Sequence, residues 1–494
     1  MSAHSSRRGR SPPAARDRRP LAERFEELRT RAERGPPADP EPFLRALSDP
    51  EPLLRCVAVW GLGHLKETRA RAAIETALLD PDSRVRALGC GALGALGNRE
   101  SAFPLRQALA DPTGLVRAQA AWALRSIADE HSVEALRPLL TDPDWEVRRA
   151  AVAALGRTPT TEAVGALRPS LKDVHERVRR EAVLALRGAK DPTVLTDLRP
   201  ALEDPSGRVR VAAAIVLGEH RDREAVPRLL EHLKERTTFV RPAILIALGR
   251  IGDPVAVPAL LTHAKEGPSW TRVCALRALA EFGGPEAVEV ARQALSDPAW
   301  SVRGSAAELL GHAGDRDDLG RLLVGLNDPH PWPRRGVLYA LGRLELCEAA
   351  PRIREELTHS SAEVRLAAIW TLGRLRDDGA REPLIALLRS IPPNGALARE
   401  APAEERAEGP TLVSDAEERQ FDALVQTLGR LAESTNDPSI LRALLEARAR
   451  VREEEWDRPA RLPPPEVENA PQVPSLRRLF EVALPGLAEE EGEI

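Results

Sequence analysis

Arginine recurs at every thirty-first position over most of this chain, and this regularity is the strongest constraint on its fold. The series comprises Arg55, Arg86, Arg117, Arg148, Arg179, Arg210, Arg241, Arg272, Arg303, Arg334 and Arg365. A leucine follows each arginine seven places later, from Leu62 to Leu372. A fixed period of this length indicates stacked structural repeats, each burying its apolar face against its neighbours. Such a protein presents a long surface, so binding is expected before catalysis.

Each repeat has the pattern of two helices joined by a short turn. In residues 204–234, Asp204 and Pro205 are typical of a helix N-cap followed by a first-turn proline, and Gly218 is typical of the end of that helix. A second helix is predicted for the segment AVPRLLEHLK, whose leucines have helical spacing. Because no alternating or hairpin pattern interrupts the array, the sequence predicts an all-α fold.

The recurring pattern DPxxxVRxxAxxALG resembles HEAT repeats, in particular the short HEAT-like class known from phycobilisome lyases, over about residues 40–390. The resemblance implies an α-solenoid (an α-α superhelix) of about eleven 31-residue HEAT-like repeats plus terminal caps. In HEAT proteins, matching aspartates and arginines form a hydrogen-bonded ladder between repeats. The resemblance implies the same structural role here for Asp80, Arg86, Asp111, Arg117, Asp142, Arg148, Asp204, Arg210, Asp297 and Arg303.

Composition shifts along the chain suggest boundaries around the array. We predict a disordered basic tail over 1–19, N-terminal cap helices over 20–48, the HEAT-like repeat array over 49–390, a loop insertion over 391–413, an atypical C-terminal repeat over 414–455, and a Pro-rich, acidic tail with a short amphipathic helix over 456–494. Ser414 and Glu417 have the spacing of a capping box, which favours a helix start there.

Aromatic residues and arginines are predicted to form a protein-binding surface. In HEAT-like solenoids, the helix that corresponds to the arginine-bearing one lines the concave groove. Its position five after the arginine holds Trp60, Trp122, Tyr339 and Trp370, and the position one after holds Arg149, Arg180 and Arg335. Tryptophan, tyrosine and arginine often supply most of the binding energy at interfaces, so these residues are candidate anchors and charge-pairing contacts. The alternative is that the aromatic column packs between successive helices.

Three further tryptophans, Trp270, Trp300 and Trp332, stand two or three places before their arginines in consecutive repeats. Neighbouring helices pack roughly 8–10 Å apart, so these side chains are close enough to form one aromatic ridge that would need a partner. The other interpretation is that each ring packs against its adjacent Asp-Pro turn.

The residues predict no catalytic, cofactor-binding or metal-binding site. HEAT-like repeats also build an iron hydroxylase, deoxyhypusine hydroxylase, from His-Glu pairs, but this chain has one such dipeptide, His175-Glu176, and it lies before the arginine. Walker, GxSxG and HExxH motifs are absent. The four cysteines are dispersed with no CxxC, which favours a reduced, cytoplasmic setting.

These observations predict a non-catalytic scaffold or adaptor that binds a protein or peptide along the solenoid surface, without a cofactor or membrane anchor. The net charge of −4 disfavours nucleic acid as the partner. Two alternatives stay open: a lyase-like or hydroxylase-like HEAT enzyme, and a nucleic-acid-binding protein that uses Arg-rich segments such as residues 1–20. The excess of arginine over lysine is typical of a GC-rich bacterial genome.

Overall fold

The computed structural model describes residues 19–34, 39–127, 131–158, 160–234 and 239–390, together with residues 424, 427 and 428. This part of the chain forms α-helices and short 3-10 turns, and it contains no strand. The chain divides into two compact units, Met1–Ala201 and Leu202–Ile494. The tail, loop, atypical repeat and acidic tail predicted over 1–19, 391–413, 414–455 and 456–494 lie outside the described residues, apart from residues 19, 424, 427 and 428.

The first unit is a succession of paired helices. Its helices are α1 (Leu21–Glu33), α2 (Glu41–Ala46), α3 (Pro52–His64), α4 (Arg71–Ala77), α5 (Ser83–Leu96), α6 (Ala102–Ala108), α7 (Gly114–Ile127), α8 (Ser132–Leu136), α9 (Trp145–Leu155), α10 (Thr161–Leu167), α11 (Glu176–Ala185) and α12 (Thr193–Leu198). We call α3, α5, α7, α9 and α11, which carry the periodic arginines, arginine helices. Successive arginine helices pack against one another, and α1 and α2 pack against α3.

The second unit continues the same pairing. Its helices are α13 (Gly207–Glu219), α14 (Val226–His232), α15 (Arg241–Ile251), α16 (Val257–Lys265), α17 (Ser269–Ala280), α18 (Pro285–Ala294), α19 (Trp300–Ala313), α20 (Leu319–Gly325), α21 (Pro331–Arg343), α22 (Ala350–Glu355), α23 (Ala362–Leu375) and α24 (Arg381–Ser390). The arginine helices here are the odd-numbered ones, and each packs against the next. Among the residues placed by the structure, no helix is both long and apolar enough to cross a membrane.

Two apolar columns form the core of both units. The leucine seven places after each periodic arginine, from Leu62 to Leu372, is at most 2% exposed in every repeat. The second-helix residue nineteen places after the arginine, from Ile74 to Leu384, is equally buried. Burial of one such side chain stabilises the fold by roughly 1.5–3 kcal/mol, so the repeated columns dominate the stability of each stack. The architecture is therefore an all-α solenoid of helix pairs.

The predicted ends of the first helix of the 204–234 repeat were wrong at both sides. Ser206, not Asp204, is the N-cap of α13, and Oδ1 of Asp204 instead accepts a hydrogen bond from the backbone N–H of Ser206 at 2.8 Å. The helix also continues through Gly218 to Glu219. A Cβ at position 218 would lie 2.8 Å from Cα of Ala247 on α15, so this glycine permits close helix packing and does not end the helix.

Arginine–aspartate pairs join neighbouring repeats within each unit. Arg55 donates through Nε and Nη2 to both carboxylate oxygens of Asp80 in the next repeat, at 2.7 and 2.8 Å, and through Nη1 to the backbone oxygens of Asp49 and Pro50. The same bidentate pairing joins Arg86 to Asp111, Arg117 to Asp142, Arg148 to Asp173, Arg272 to Asp297, and Arg303 to Asp328. In these six pairs, the arginine side chains are at most 17% exposed and the aspartates at most 12%.

The rest of the arginine column includes Arg210 and Arg334, which also donate to backbone oxygens of their own repeats. Arg210 donates to the backbone oxygens of Asp204 and Pro205 at 2.7 and 3.3 Å, while Glu235, the acidic residue at the matching position of the next repeat, lies outside the described residues. Arg334 donates to Oε2 of Glu356 at 3.3 Å, because the acidic position of the next repeat is occupied by a histidine.

Burial and hydrogen bonding act in opposite directions on the carboxyl groups of these pairs. Burial of Asp111 opposes its ionisation, but the hydrogen bonds from Arg86 and from the backbone N–H of Thr113 outweigh burial and lower its pKa. The same balance lowers the pKa of Asp80, Asp142, Asp173 and Asp328. These carboxylates therefore stay charged at neutral pH, as the pairing requires.

We expect the free energy of unfolding to decrease as the solution becomes acidic. The pKa of an unfolded aspartate is about 3.9, and the pKa of these groups in the folded chain is lower. Their contribution to stability is therefore complete above the unfolded pKa and is lost as the pH falls through the folded pKa. Thermal unfolding followed by far-UV circular dichroism from neutral to strongly acidic pH measures this loss. An Asp111→Asn variant should show a shallower acid dependence, and a dependence identical to that of the unaltered chain would contradict the assignment.

Candidate protein-binding surface

The solvent-facing side of the arginine helices carries most of the aromatic and arginine side chains singled out from the sequence. Positions three before, one after and five after the periodic arginine are four residues apart, so they lie on one helix face. On α9 these positions hold Trp145 and Arg149, and on α7 the last of them holds Trp122. On α7 and α9, a residue of the predicted groove column and a tryptophan near the turn therefore lie on the same side of neighbouring arginine helices.

In the first unit, six side chains on or beside α7, α9 and α11 form what we call the Trp122 cluster: Trp122, Arg125, Trp145, Arg149, His175 and Arg177. The guanidinium carbon of Arg149 lies 5.3 Å from the ring centroid of Trp122 and 5.8 Å from that of Trp145. Arg125 lies 5.4 Å from the Trp122 centroid, and Arg177 lies 5.2 Å from that of Trp145. Each such cation–π contact contributes roughly 0.5–1 kcal/mol at an exposed site, so the cluster is ordered by its own members.

His175 fixes the orientation of Trp145. It is the N-cap of α11, and its Nδ1 accepts a hydrogen bond from the backbone N–H of Arg177 at 3.3 Å. Its ring stacks on Trp145 with centroids 4.0 Å apart and planes 8° from parallel. Because the cap holds the imidazole, the stacked indole is held as well.

Among the residues that the structure describes, the guanidinium groups of this surface have no carboxylate within ion-pair distance. Among the described residues, none of Arg125, Arg149, Arg177 and Arg180 forms an ion pair, and the buried Nε of Arg149 has no hydrogen-bond acceptor. Glu181 lies near three of them, yet burial raises its pKa against the opposing influence of these arginines. Within the described residues, the Trp122 cluster and Arg180 thus hold four guanidinium groups that form no ion pair.

The second unit repeats the Trp–His stack five repeats later in the sequence, within what we call the Trp332 cluster: Arg277, Trp300, His330, Trp332 and Arg335. Trp300 stacks on His330 at 4.2 Å and 6°, and Nδ1 of His330 accepts a hydrogen bond from the backbone N–H of Trp332 at 3.2 Å. The Trp332 ring meets Trp300 edge-on at 5.6 Å. The ring also packs against Gly304 of α19, where a Cβ would come within 2.0 Å of it.

The arginines of the Trp332 cluster differ from those of the Trp122 cluster because they have carboxylate partners. Arg335 lies 5.5 Å from the Trp332 centroid and donates to Glu363 at 3.1 Å. Arg277 lies 6.0 Å from the same centroid and 3.8 Å from Glu308. The positive charge of this second cluster is therefore balanced within the chain.

Further along the second unit, Tyr339 and Trp370 meet edge to face at 5.2 Å, and Arg374 lies 5.8 Å from the Trp370 centroid. Burial raises the pKa of the Tyr339 hydroxyl, although nearby arginines oppose the shift. This pair has the geometry of an ordered aromatic contact, which adds about 0.5–1.5 kcal/mol beyond burial.

The remaining predicted surface residues lie outside these groups. Trp60 is only 9% exposed and stacks on His64 at 5.1 Å, so it offers little surface to a partner. Trp270 is 56% exposed and has no ring contact among the residues placed by the structure, whereas Trp300 and Trp332 touch. Arg180 is exposed on α11.

Sequence reasoning did not identify the histidines that organise both clusters. His175 and His330 are the only histidines four places before a periodic arginine, and each follows a repeat whose arginine is preceded at three places by tryptophan. The signal was therefore a coupled Trp and His in adjacent repeats. Inspection of one repeat does not reveal this signal, because the tryptophan and the histidine lie in two consecutive repeats.

A comparison with known families decides the classification. The family model for HEAT repeats matches residues 40–125, 104–187, 133–210, 195–273, 264–338 and 319–401, which together exceed half of the chain. The chain belongs to the HEAT repeat family. No match was found among curated protein sequences.

Solved structures resemble this HEAT repeat protein in fold. Kap95p, in a complex with RanGDP, is 12% identical with a TM-score of 0.54, covering 89% of this chain and 68% of that chain. Importin beta is 14% identical with a TM-score of 0.52, covering 86% and 68%. The CpcE–CpcF complex of phycocyanin lyase from Nostoc sp. PCC7120 is 23% identical with a TM-score of 0.32, covering 56% and 97%. At these identities, the first two likenesses establish the solenoid fold alone.

Three cysteines of this HEAT repeat protein are poor nucleophiles. Burial raises the pKa of Cys56 and Cys90 to about 12 and that of Cys274 to about 11. Because the thiolate is the reactive form, these three groups stay protonated and unreactive at neutral pH. In the ranges placed by the structure, no group of three or more His, Cys, Asp or Glu side chains is arranged to hold a metal ion.

Proposed function

We propose that this HEAT repeat chain is a cytoplasmic, non-catalytic scaffold that binds a protein or peptide along the solvent-facing side of its arginine helices. The observation that supports the proposal is the pair of ordered Trp–Arg–His clusters on that side. Tryptophan and arginine dominate the energetics of protein interfaces. Their mutual stacking restricts their rotamers before binding, so less side-chain entropy is lost when a partner docks.

The use of His175 supports a scaffold over a hydroxylase-like enzyme. An iron site of that kind needs His and carboxylate ligands that converge on the metal. Here the imidazole of the one His-Glu dipeptide caps α11 and stacks on Trp145. Metal analysis and a chromophore-binding assay on the purified chain test the hydroxylase-like and lyase-like alternatives directly.

We expect a Trp122→Ala/Trp300→Ala variant to lose its protein partner. Each tryptophan forms part of one cluster, and truncation of an interface hot spot weakens binding by about 2 kcal/mol or more, roughly thirtyfold in dissociation constant. The measurement is affinity capture from the source cells, with the unaltered chain and the double variant as separate baits. The recovered partner is then titrated against each bait to give its dissociation constant. Trp60 is left intact because it is only 9% exposed and its removal would affect packing.

Phe103→Ala provides the matched control. Phe103 is an aromatic side chain that is 61% exposed on α6, a second helix, and it lies outside both clusters. Its removal should leave partner recovery unchanged. Equal recovery by the double tryptophan variant and the unaltered chain, with unchanged circular dichroism, would refute binding on this side.

A further inference from the structure

The two clusters have similar geometry but different charge balance, and the difference identifies a ligand chemistry. Arg149 and Arg335 occupy the same repeat position, and each stacks on tryptophan. Arg335 has a carboxylate partner in Glu363 at 3.1 Å. Arg149 has none among the described residues, and its buried Nε lacks an acceptor. Among the described residues, the Trp122 cluster therefore has guanidinium donors without carboxylate acceptors, whereas the Trp332 cluster has internal ion pairs.

We propose that the Trp122 cluster, together with Arg180, binds an extended acidic peptide segment of a partner protein. This inference rests on the proposed scaffold function and specifies the chemistry of the partner. Arginine pairs with carboxylates through a planar fork of donors, and these charge-assisted hydrogen bonds are stronger than neutral ones. The stacked tryptophans hold the guanidinium planes in place, so the donors are oriented before the ligand arrives.

The spacing of the cluster matches an extended chain. Arg125, Arg149 and Arg177 belong to three consecutive arginine helices, α7, α9 and α11, and neighbouring helices pack about 8–10 Å apart. A peptide in the extended polyproline II conformation advances about 3.1 Å per residue and completes a turn every three residues, so every third side chain lies on the same face, about 9 Å from the last. Carboxylates at every third residue would therefore meet successive arginine helices, with Arg180 as a further contact on α11.

The ring contacts favour a peptide over single-stranded nucleic acid. Sequence-tolerant binding of single strands uses aromatic faces on which bases stack. Trp122 already contacts two arginines, and Trp145 contacts His175 and two arginines. The indoles therefore serve to hold cations, and the cations are the groups that meet the ligand.

The test is fluorescence anisotropy with the full chain and a labelled peptide that has glutamate at every third position. We expect salt-sensitive binding, no binding of the same peptide with glutamine in place of glutamate, and an affinity about tenfold lower for Arg149→Gln. Arg180→Gln, at an exposed position on α11, should weaken binding in the same direction without affecting folding. Arg335→Gln is the matched control and should bind as the unaltered chain does.

Three outcomes would overturn the inference: equal affinity of the Arg149→Gln and Arg335→Gln variants, no binding of the glutamate peptide, or tighter binding of a single-stranded oligonucleotide of equal charge. The result is separable from the test of the scaffold itself. A chain that captures its partner through the tryptophans but ignores the glutamate peptide is a scaffold for a partner of different chemistry. If the unaltered chain binds the peptide but the Trp122→Ala/Trp300→Ala variant still captures the partner, only the proposal that the partner binds through the tryptophans is contradicted.

Discussion

Replacement of Arg117 by glutamine is expected to lower the free energy of unfolding by about 3 kcal/mol. Arg117 forms a bidentate pair with Asp142, and the two side chains are only 16% and 9% exposed. Its Nη1 also donates hydrogen bonds to the backbone oxygens of Asp111 and Pro112. The substitution leaves a shielded carboxylate without its cation, and the cost of that unpaired charge exceeds the intrinsic value of the pair. Chemical denaturation followed by circular dichroism measures the loss.

An exposed ion pair in the second helix of the same repeat supplies the control for this prediction. Arg137 lies 3.4 Å from Glu134, with side-chain exposures of 50% and 73%. An Arg137→Gln substitution removes the same charge from the chain, but a surface pair contributes only about 0–1 kcal/mol. Similar stability losses for the two variants would show that net charge, and not the inter-repeat pairing, determines the effect.

Replacement of Gly94 by alanine is expected to destabilise the chain by about 1–3 kcal/mol, although alanine is the better helix former. Gly94 lies within α5, where an added Cβ would come 2.8 Å from Cα and 3.0 Å from Cβ of Ala123 on α7. Backbone atoms cannot rotate away as a side chain can, so the two arginine helices must separate. The measurement is the same denaturation experiment, and an unchanged or increased stability would contradict the close packing.

Gly165→Ala should instead increase the free energy of unfolding. Gly165 also lies within a helix, α10, but nothing is within 4 Å of the position that a Cβ would take. There the substitution only reduces backbone entropy in the unfolded chain, which stabilises by up to about 1 kcal/mol. The opposite effects of one chemical change would separate helix propensity from helix packing.

The sequence by itself determined the repeat architecture and the core. A period of 31 residues places equivalent side chains at equivalent positions, and each repeat can bury its apolar face only against the next. The buried columns from Leu62 to Leu372 and from Ile74 to Leu384 follow from that requirement. They were predictable because the same local rule applies in every repeat.

Contacts between unlike residues of adjacent repeats were decided only by the tertiary structure. The period assigns Trp60 and Trp122 to one column, yet Trp60 is buried on His64 while Trp122 contacts Arg125 and Arg149. Equivalent positions therefore have different neighbours, and one neighbour of Trp122, Arg149, lies on the next arginine helix, about thirty residues away in sequence.

The glycines show the same division between sequence and structure. Gly218 has the local signature of a helix end, but the close approach of Ala247 explains its presence inside the helix. Gly304 similarly makes room for the Trp332 ring. A local pattern cannot reveal which atom of another helix will fill the space that a missing Cβ leaves, because that atom is placed by the packing of the whole stack.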